Sequence, residues 1–283
     1  MNTGLLKNVL GEKSKDLYRL FLDACGRVEG IDVSVVAEMS DILVRKYQGK
    51  KLKSEEKDRF EKYESRWYDS LGRGEPDYGV YGEDSYLSET WACWKIYSRG
   101  YLKGISHQKS LANKSIVDDL SFVQTVIDVG CGIGFTTAAL KQLFPNVTVT
   151  GTNIEGSKQI SIARIMGREV GVSIVDGIDG LEKGGLVFAS EYFEHFEEPL
   201  AHLEEILKLE PAAMIVANAF SGRSVGHFPT YKLKAGSGLG LSSLMVPGRM
   251  VQREFNKTMR LHGYGPVSTR LWNNRPAYWR KAR

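Results

Sequence analysis

Residues 190–199, SEYFEHFEEP, place four glutamates and one histidine in ten positions directly after an apolar run. Three kinds of chemistry use such a cluster. The segment Glu191-x-x-Glu194-His195 could hold a metal ion, carry a proton, or open a surface helix whose positive dipole end favours Glu197 and Glu198. Which of these applies depends on what the upstream residues bring to the same place.

The stretch VIDVGCGIGFTTAALKQLF reads as a buried strand running into Gly130, Gly132 and Gly134, then an amphipathic helix. Glycine permits a sharp turn and lets the backbone approach a ligand without an intervening Cβ. In parallel α/β sheets the ligand crevice lies at the carboxyl ends of the strands. A phosphate-cradling loop needs Gly-Lys-Ser/Thr, and Phe135-Thr136 stands there instead. A dinucleotide fingerprint requires glycine at 135 or 137, which are phenylalanine and threonine. The pattern present is D-x-G-x-G-x-G, beginning at Asp128.

That pattern resembles motif I of the class I S-adenosylmethionine-dependent methyltransferases, over roughly residues 121–283. The resemblance implies a Rossmann-like α/β sheet with helices on both faces. It also implies that the glycine loop packs against the methionine and ribose portions of S-adenosylmethionine. Asp128 would orient the loop or reach the methionine amino group. The family places an acid for the ribose hydroxyls at the end of the second strand; here Asn153 occupies that position and Glu155 follows two residues later. If the strand continues, Glu155 shares the parity of Asn153 and reaches the same place. Asp176 matches the position that contacts the adenine amino group, with Asp179 as the alternative.

On this plan Glu191 ends the fourth strand, where the fold presents groups to the acceptor. Glu191 or His195 could take a proton from an attacking hydroxyl, and histidine's unperturbed pKa of ~6.5 suits that task. The E-x-x-E-H spacing also resembles a metal-binding signature of small-RNA 2′-O-methyltransferases and ubiquinone-pathway O-methyltransferases. By that resemblance Glu191, Glu194 and His195 would ligate Mg2+ or Mn2+, with His227 of SVGHFPTY as a fourth ligand. Metal-free small-molecule methyltransferases carry a similar segment as pocket wall.

The elements that must position these residues follow from periodicity. Residues 1–115 are expected to form a helical N-terminal region and residues 116–283 the methyltransferase domain. KDLYRLFLDAC and SVVAEMSDILVRKY space apolar residues as helices do, with Asp32 or Ser34 able to cap the second. In the helix-like SYLSETWACWKIYSRGYLKG, Trp91, Trp94, Tyr97 and Tyr101 fall on one face. TVIDVG, VTVTGTN, VSIVDG, GLVFASE and AAMIVANAF read as five buried parallel strands. YGPVSTRLW and AYWRKA read as a closing hairpin turned by Asn-Asn-Arg-Pro. The 28-residue connection from Ser221, rich in glycine, is long enough to act as a lid.

Composition narrows the function. No apolar run reaches the ~18 residues of a membrane span, no secretory signal is evident at the first residues, and three scattered cysteines make no disulfide framework. A cytoplasmic protein without membrane attachment is expected. The net charge of +4 hides an asymmetry: four lysines and eight arginines against Glu254 give residues 221–283 a charge of +11, leaving −7 on residues 1–220. Cations among aromatics suit an anionic partner. Neither the Asp/Asn-Pro-Pro-aromatic segment of base-amino methyltransferases nor a Pro-Cys nucleophile is present. The expectation is therefore methyl transfer to an oxygen or nitrogen of an unidentified, anionic small-molecule acceptor. The alternatives are an RNA or DNA methyltransferase of the ribose 2′-O type, metal-assisted, and a scaffold that binds the cofactor without turnover, which Asn153 keeps open.

Overall fold

The computed structural model describes residues 9–10, 15–107, 114–234, 244–268 and 277–282. Five short β-branched runs become the parallel strands β1 (Thr125–Val129), β2 (Thr148–Asn153), β3 (Ser173–Asp176), β4 (Leu186–Ser190) and β5 (Ala213–Ala217). Two further strands, β6 (Thr230–Leu233) and β7 (Leu244–Pro247), pair only with each other. The last two, β8 (Tyr264–Val267) and β9 (Ala277–Lys281), form the closing hairpin; the Asn-Asn-Arg-Pro turn and Trp272 lie outside the described residues. The seven-stranded sheet runs β3-β2-β1-β4-β5-β9-β8, with β9 antiparallel to β5. It is a Rossmann-like, mostly parallel sheet with helices on both faces, preceded by a helical region, as the resemblance of the glycine motif implied.

Side-chain alternation along the strands divides the core in two. Val126, Leu186, Phe188, Ala213 and Ile215 face one side, where α7 (Phe135–Leu143) and α8 (Lys158–Val170) contribute Phe135, Leu140, Ile162 and Ile165. Ile127, Val129, Val187, Ala189, Met214 and Val216 face the other. There α9 (Pro199–Leu207) and α10 (Gly248–Leu261) bury Leu203, Ile206, Phe255 and Met259. Each large apolar side chain so removed from water contributes about 1.5–3 kcal/mol before chain entropy is subtracted.

The N-terminal helices share both cores. They are α1 (Lys15–Cys25), α2 (Val33–Tyr47), α3 (Ser54–Gly72), α4 (Asp84–Cys93) and α5 (Arg99–His107), followed by the short α6 (Ile116–Asp119). Asp32 caps α2 by accepting from the Ser34 and Val35 N–H groups at 2.9 and 3.3 Å. Phe21, Met39, Leu43, Trp91 and Trp94 join the α7 side of the sheet, while Trp67 joins the other. A π turn, Trp94–Ser98, joins α4 to α5. Its extra residue rotates the chain that follows. Trp91, Trp94 and Tyr101 are consequently buried, whereas Tyr97 is partly exposed, so the four aromatics do not share one face.

Candidate functional site

The chain leaves β1 through three glycines in left-handed conformation, with φ of 63° at Gly130, 56° at Gly132 and 90° at Gly134. At Gly130 a Cβ would also run into the Tyr192 ring. At Gly132 and Gly134 a Cβ would meet its nearest neighbours, Gln159 and Thr90 at 3.9 Å and Ala163 at 3.7 Å, in ordinary contact, so there the left-handed backbone alone favours glycine. The loop is tied to β2: the Cys131 N–H donates to the Thr152 carbonyl at 2.9 Å, and Asn153 Nδ2 donates to the Gly132 carbonyl at 2.6 Å. Beneath it Asp128 is 1% exposed, and its Oδ2 accepts from the Thr136 and Thr137 hydroxyls at 2.6 Å each. Burial pushes this carboxyl up to about 7.

The loop floors a cavity of about 140 Å³. Ligand pockets usually start near ~300 Å³, so the enclosed part suits a portion of a nucleoside-sized molecule. Gly130, Gly132, Glu191, His195 and His227 line it together. Gly134 sits behind the loop, and Asp128 lies below it. Asn153, Glu155 and Asp176 do not line the cavity. Asn153 and Asp176 are partners at the ends of β2 and β3, and Asp176 Oδ1 accepts from the Glu155 N–H at 3.0 Å. The Glu155 carboxylate forks onto Arg164 of α8 at 2.6 and 2.9 Å, at the surface. Asp179 is an exposed loop residue beyond β3.

The neighbouring strand, β4, runs directly into Glu191, whose φ of 50° is unusual for a residue with a side chain. Its N–H donates to the Ala217 carbonyl of β5 at 2.8 Å, which holds it in that conformation. Such strain costs about 1–3 kcal/mol and collects at functional sites. Glu191, Glu194 and His227 each present one ligand-type atom, and these lie within 4.8 Å of one another. Glu194 is fully buried; Oε1 accepts from the Ala219 N–H at 2.6 Å, while Oε2 has no hydrogen-bond partner. Burial raises its carboxyl above the usual carboxylate range. His227 Nδ1 donates to the Gly222 carbonyl at 3.2 Å, which leaves Nε2 with its lone pair, 3.8 Å from Glu191 Oε2. Burial lowers the His227 imidazole to about 4, and lowers His195 as well. His195 is not in this group of three. Its ring meets His227 edge-on at 4.8 Å, with Nδ1 at 3.1 Å from the Tyr81 hydroxyl.

Helices before the sheet complete the enclosure. Trp67 Nε1 donates to the His227 carbonyl and the Tyr68 hydroxyl to the Ser224 carbonyl, both at 2.9 Å. Beyond His227 a second cavity of about 480 Å³ opens, lined by Phe220, Phe228 and the two arginines Arg223 and Arg249. His227 lines both. Arg223 lies 4.2 Å over the Tyr68 ring. Sequence reading passed over Glu89, a buried acid on the wall of the first cavity. The available signal was an acid three and four residues before Ala92 and Cys93, and two residues before Trp91.

No protein-family model and no curated protein matches this chain. Among solved structures, the N-terminal domain of EvdMO1 with S-adenosylhomocysteine bound is similar at 12% identity, over 59% of this chain and 78% of that one, with a TM-score of 0.39. The mitomycin 7-O-methyltransferase MmcR is similar at 14% identity, over 75% and 62% of the two chains, TM-score 0.46. DesVI of Streptomyces venezuelae is similar at 14% identity, over 67% and 97%, TM-score 0.42. These likenesses assign no residue a role.

Proposed function

We propose that this chain transfers a methyl group from S-adenosylmethionine to an oxygen or nitrogen of a small acceptor that carries an anionic group. The observation that carries the reading is the left-handed glycine loop at the end of β1, with Gly130 and Gly132 on the wall of a lined cavity. That cradle fits a ligand lying against backbone, which a side chain would displace. When bound, the cofactor supplies an electrophilic methyl group on a sulfonium. The chain's own part is to hold the acceptor in line, keep water out and receive a proton where the acceptor is a hydroxyl. Glu191 and His195, which line the same cavity as the glycines, are the groups for that proton. Arg223 and Arg249 in the adjoining cavity are the groups for the acceptor's anion.

Calorimetric titration with S-adenosylhomocysteine tests the cradle. Saturable binding is expected, reduced at least about tenfold by Gly132→Val, which fills the space and strains the backbone. Equal affinity of the two proteins would sink the reading.

A second reading is favoured by the Glu191, Glu194 and His227 cluster. The unpartnered Glu194 Oε2, and a His227 oriented by a carbonyl on its other nitrogen, match the donor set of a divalent cation site. Such an ion would polarise an acceptor oxygen. Titration with Mn2+ alone, followed by electron paramagnetic resonance, is expected to show one bound ion that Glu194→Gln releases. Absence of binding at millimolar Mn2+ would leave these residues as pocket wall.

A further inference from the structure

Residues 221–229, SGRSVGHFP, form neither helix nor strand, yet they line both cavities. Ser224, Val225 and His227 belong to the wall of the first, and Gly222, Arg223, His227 and Phe228 to the wall of the second. The segment is the partition between the glycine loop and the two arginines. Irregular backbone has no ladder of its own, so its polar groups must be satisfied from outside.

The helices before the sheet supply those partners. From α3, the Tyr68 hydroxyl donates to the Ser224 carbonyl and the Trp67 indole N–H to the His227 carbonyl. The Tyr81 hydroxyl donates to the Gly226 carbonyl at 3.2 Å. The Ser224 hydroxyl donates to Glu89 Oε1 of α4 at 2.7 Å. Glu89, 5% exposed, is itself fixed by the hydroxyls of Tyr47 at 2.5 Å and of Tyr63. Burial first, and the Glu89 carboxylate second, push both phenols well above their usual range, so they remain donors. Ser224, Gly226 and His227 are thus all gripped from one side. Tyr68 also carries Arg223 over its ring, so one side chain fixes both the backbone and the cation beside it.

We propose that Glu89, Trp67 and Tyr68 are positioning residues for the second cavity, an inference that rests on the methyl-transfer reading for its acceptor but not for the clamp. Through Ser224 and His227 they hold the partition in place. That fixes Arg223 relative to the glycine loop and limits the acceptor to anions whose length matches the span.

Benzoate, a flat ring bearing one carboxylate, is the probe for the second cavity, which offers the Phe220 and Phe228 rings beside Arg223 and Arg249. Saturable binding, followed by ligand-detected nuclear magnetic resonance, is expected, and Arg249→Gln should weaken it. Glu89 and Ser224 line the first cavity and not the second. Ser224→Ala and Glu89→Gln should nevertheless each weaken benzoate about 2- to 10-fold, the range for one lost hydrogen bond. Replacing an acid by its amide would by charge alone favour an anion, so a loss in Glu89→Gln has to pass through the partition. The two substitutions together should cost little more than either alone. In hydrogen exchange, the Gly222, His227 and Phe228 amides, bonded to the Ala219, Ser224 and Glu194 carbonyls, should exchange faster in both variants. Amides of β1, β4 and β5 should keep the parent's protection.

Equal benzoate affinity in the parent and both variants overturns the proposal. Faster exchange spread evenly over those strands overturns it as well, because the helices would then support the fold as a whole. An unaltered chain that binds no benzoate is a third contrary result, since the second cavity would take no anion of this kind. S-adenosylhomocysteine binding to the unaltered chain is a separate check. Its absence, with the other results as expected, removes the methyl-donor reading and leaves the clamp standing.

Discussion

Asp128 shows how one position serves the loop and fixes a pH dependence. Its carboxyl is pushed from 3.8 to about 7 by burial, against the two threonine hydroxyls that favour the ionised form. A carboxyl raised in the folded state means that the native protein binds more protons than the unfolded chain between these values. Its contribution to stability is therefore fully present below about pH 4 and is lost as pH rises toward 7. The full shift corresponds to roughly 4 kcal/mol. Asparagine keeps one oxygen able to accept from both threonines. In Asp128→Asn, urea midpoints measured from pH 4 to pH 8 should decline less steeply than the parent's, the remainder belonging to the other raised carboxyl, Glu194. Parallel curves for the two proteins would mean that Asp128 stays ionised in the fold. The motif made this residue legible, but not its partners, because Thr136 and Thr137 read equally well as ordinary first-turn residues. The parity argument for Glu155 needed β2 to continue; the strand ends at Asn153, and the next turn carries Glu155 to Arg164.

At the scale of elements, legibility followed the strength of local patterning. β1, β4 and β5 were readable because both faces of each are buried, which leaves continuous apolar runs; β2 and β3, partly exposed, were readable from their β-branched residues. β6 and β7 were not. Thr230–Leu233 and Leu244–Pro247 are four residues each, and β6 carries Lys232 paired with Glu197, so neither has the length or alternation that announces a strand. The glycine-rich centre of that connection, residues 235–243, where a lid was expected, lies outside the described residues. The π turn after Cys93 was equally hidden, since a single extra residue per turn leaves no mark on composition. Its consequence is large: it keeps Trp94 and Tyr101 inward and releases Tyr97. The roof over the glycine loop was unreadable for a different reason. α4 meets the loop only through tertiary packing, so Glu89, about 40 residues before Gly130, gave no local hint of sharing a cavity with it.

For the whole molecule, the +11 charge of residues 221–283 overstates what the surface offers a polyanion. Arg280 pairs with Asp119 at 3.0 Å, Lys232 with Glu197 at 2.7 Å, Lys257 with Glu254 at 3.4 Å and Lys281 with Glu210 at 3.9 Å. Exposed and outside any of these ion pairs, besides Arg223 and Lys234, is a stripe on α10: Arg249, Arg253 and Arg260. Their spacing puts them on one face, opposite the buried Val251, Phe255 and Met259, and Arg249 starts the stripe at the rim of the second cavity. Three or four such cations can neutralise about as many phosphates. Binding to duplex DNA should then weaken by about 40- to 150-fold between 50 and 200 mM salt, since each phosphate contact adds about 0.9 to the logarithmic slope. Replacing all three arginines by glutamine should flatten that dependence while leaving S-adenosylhomocysteine affinity intact, because none of them lines the glycine-loop cavity. A slope near −10 would instead require a nucleic-acid footprint far larger than this stripe. That outcome would return RNA or DNA to the place now given to a small anionic acceptor.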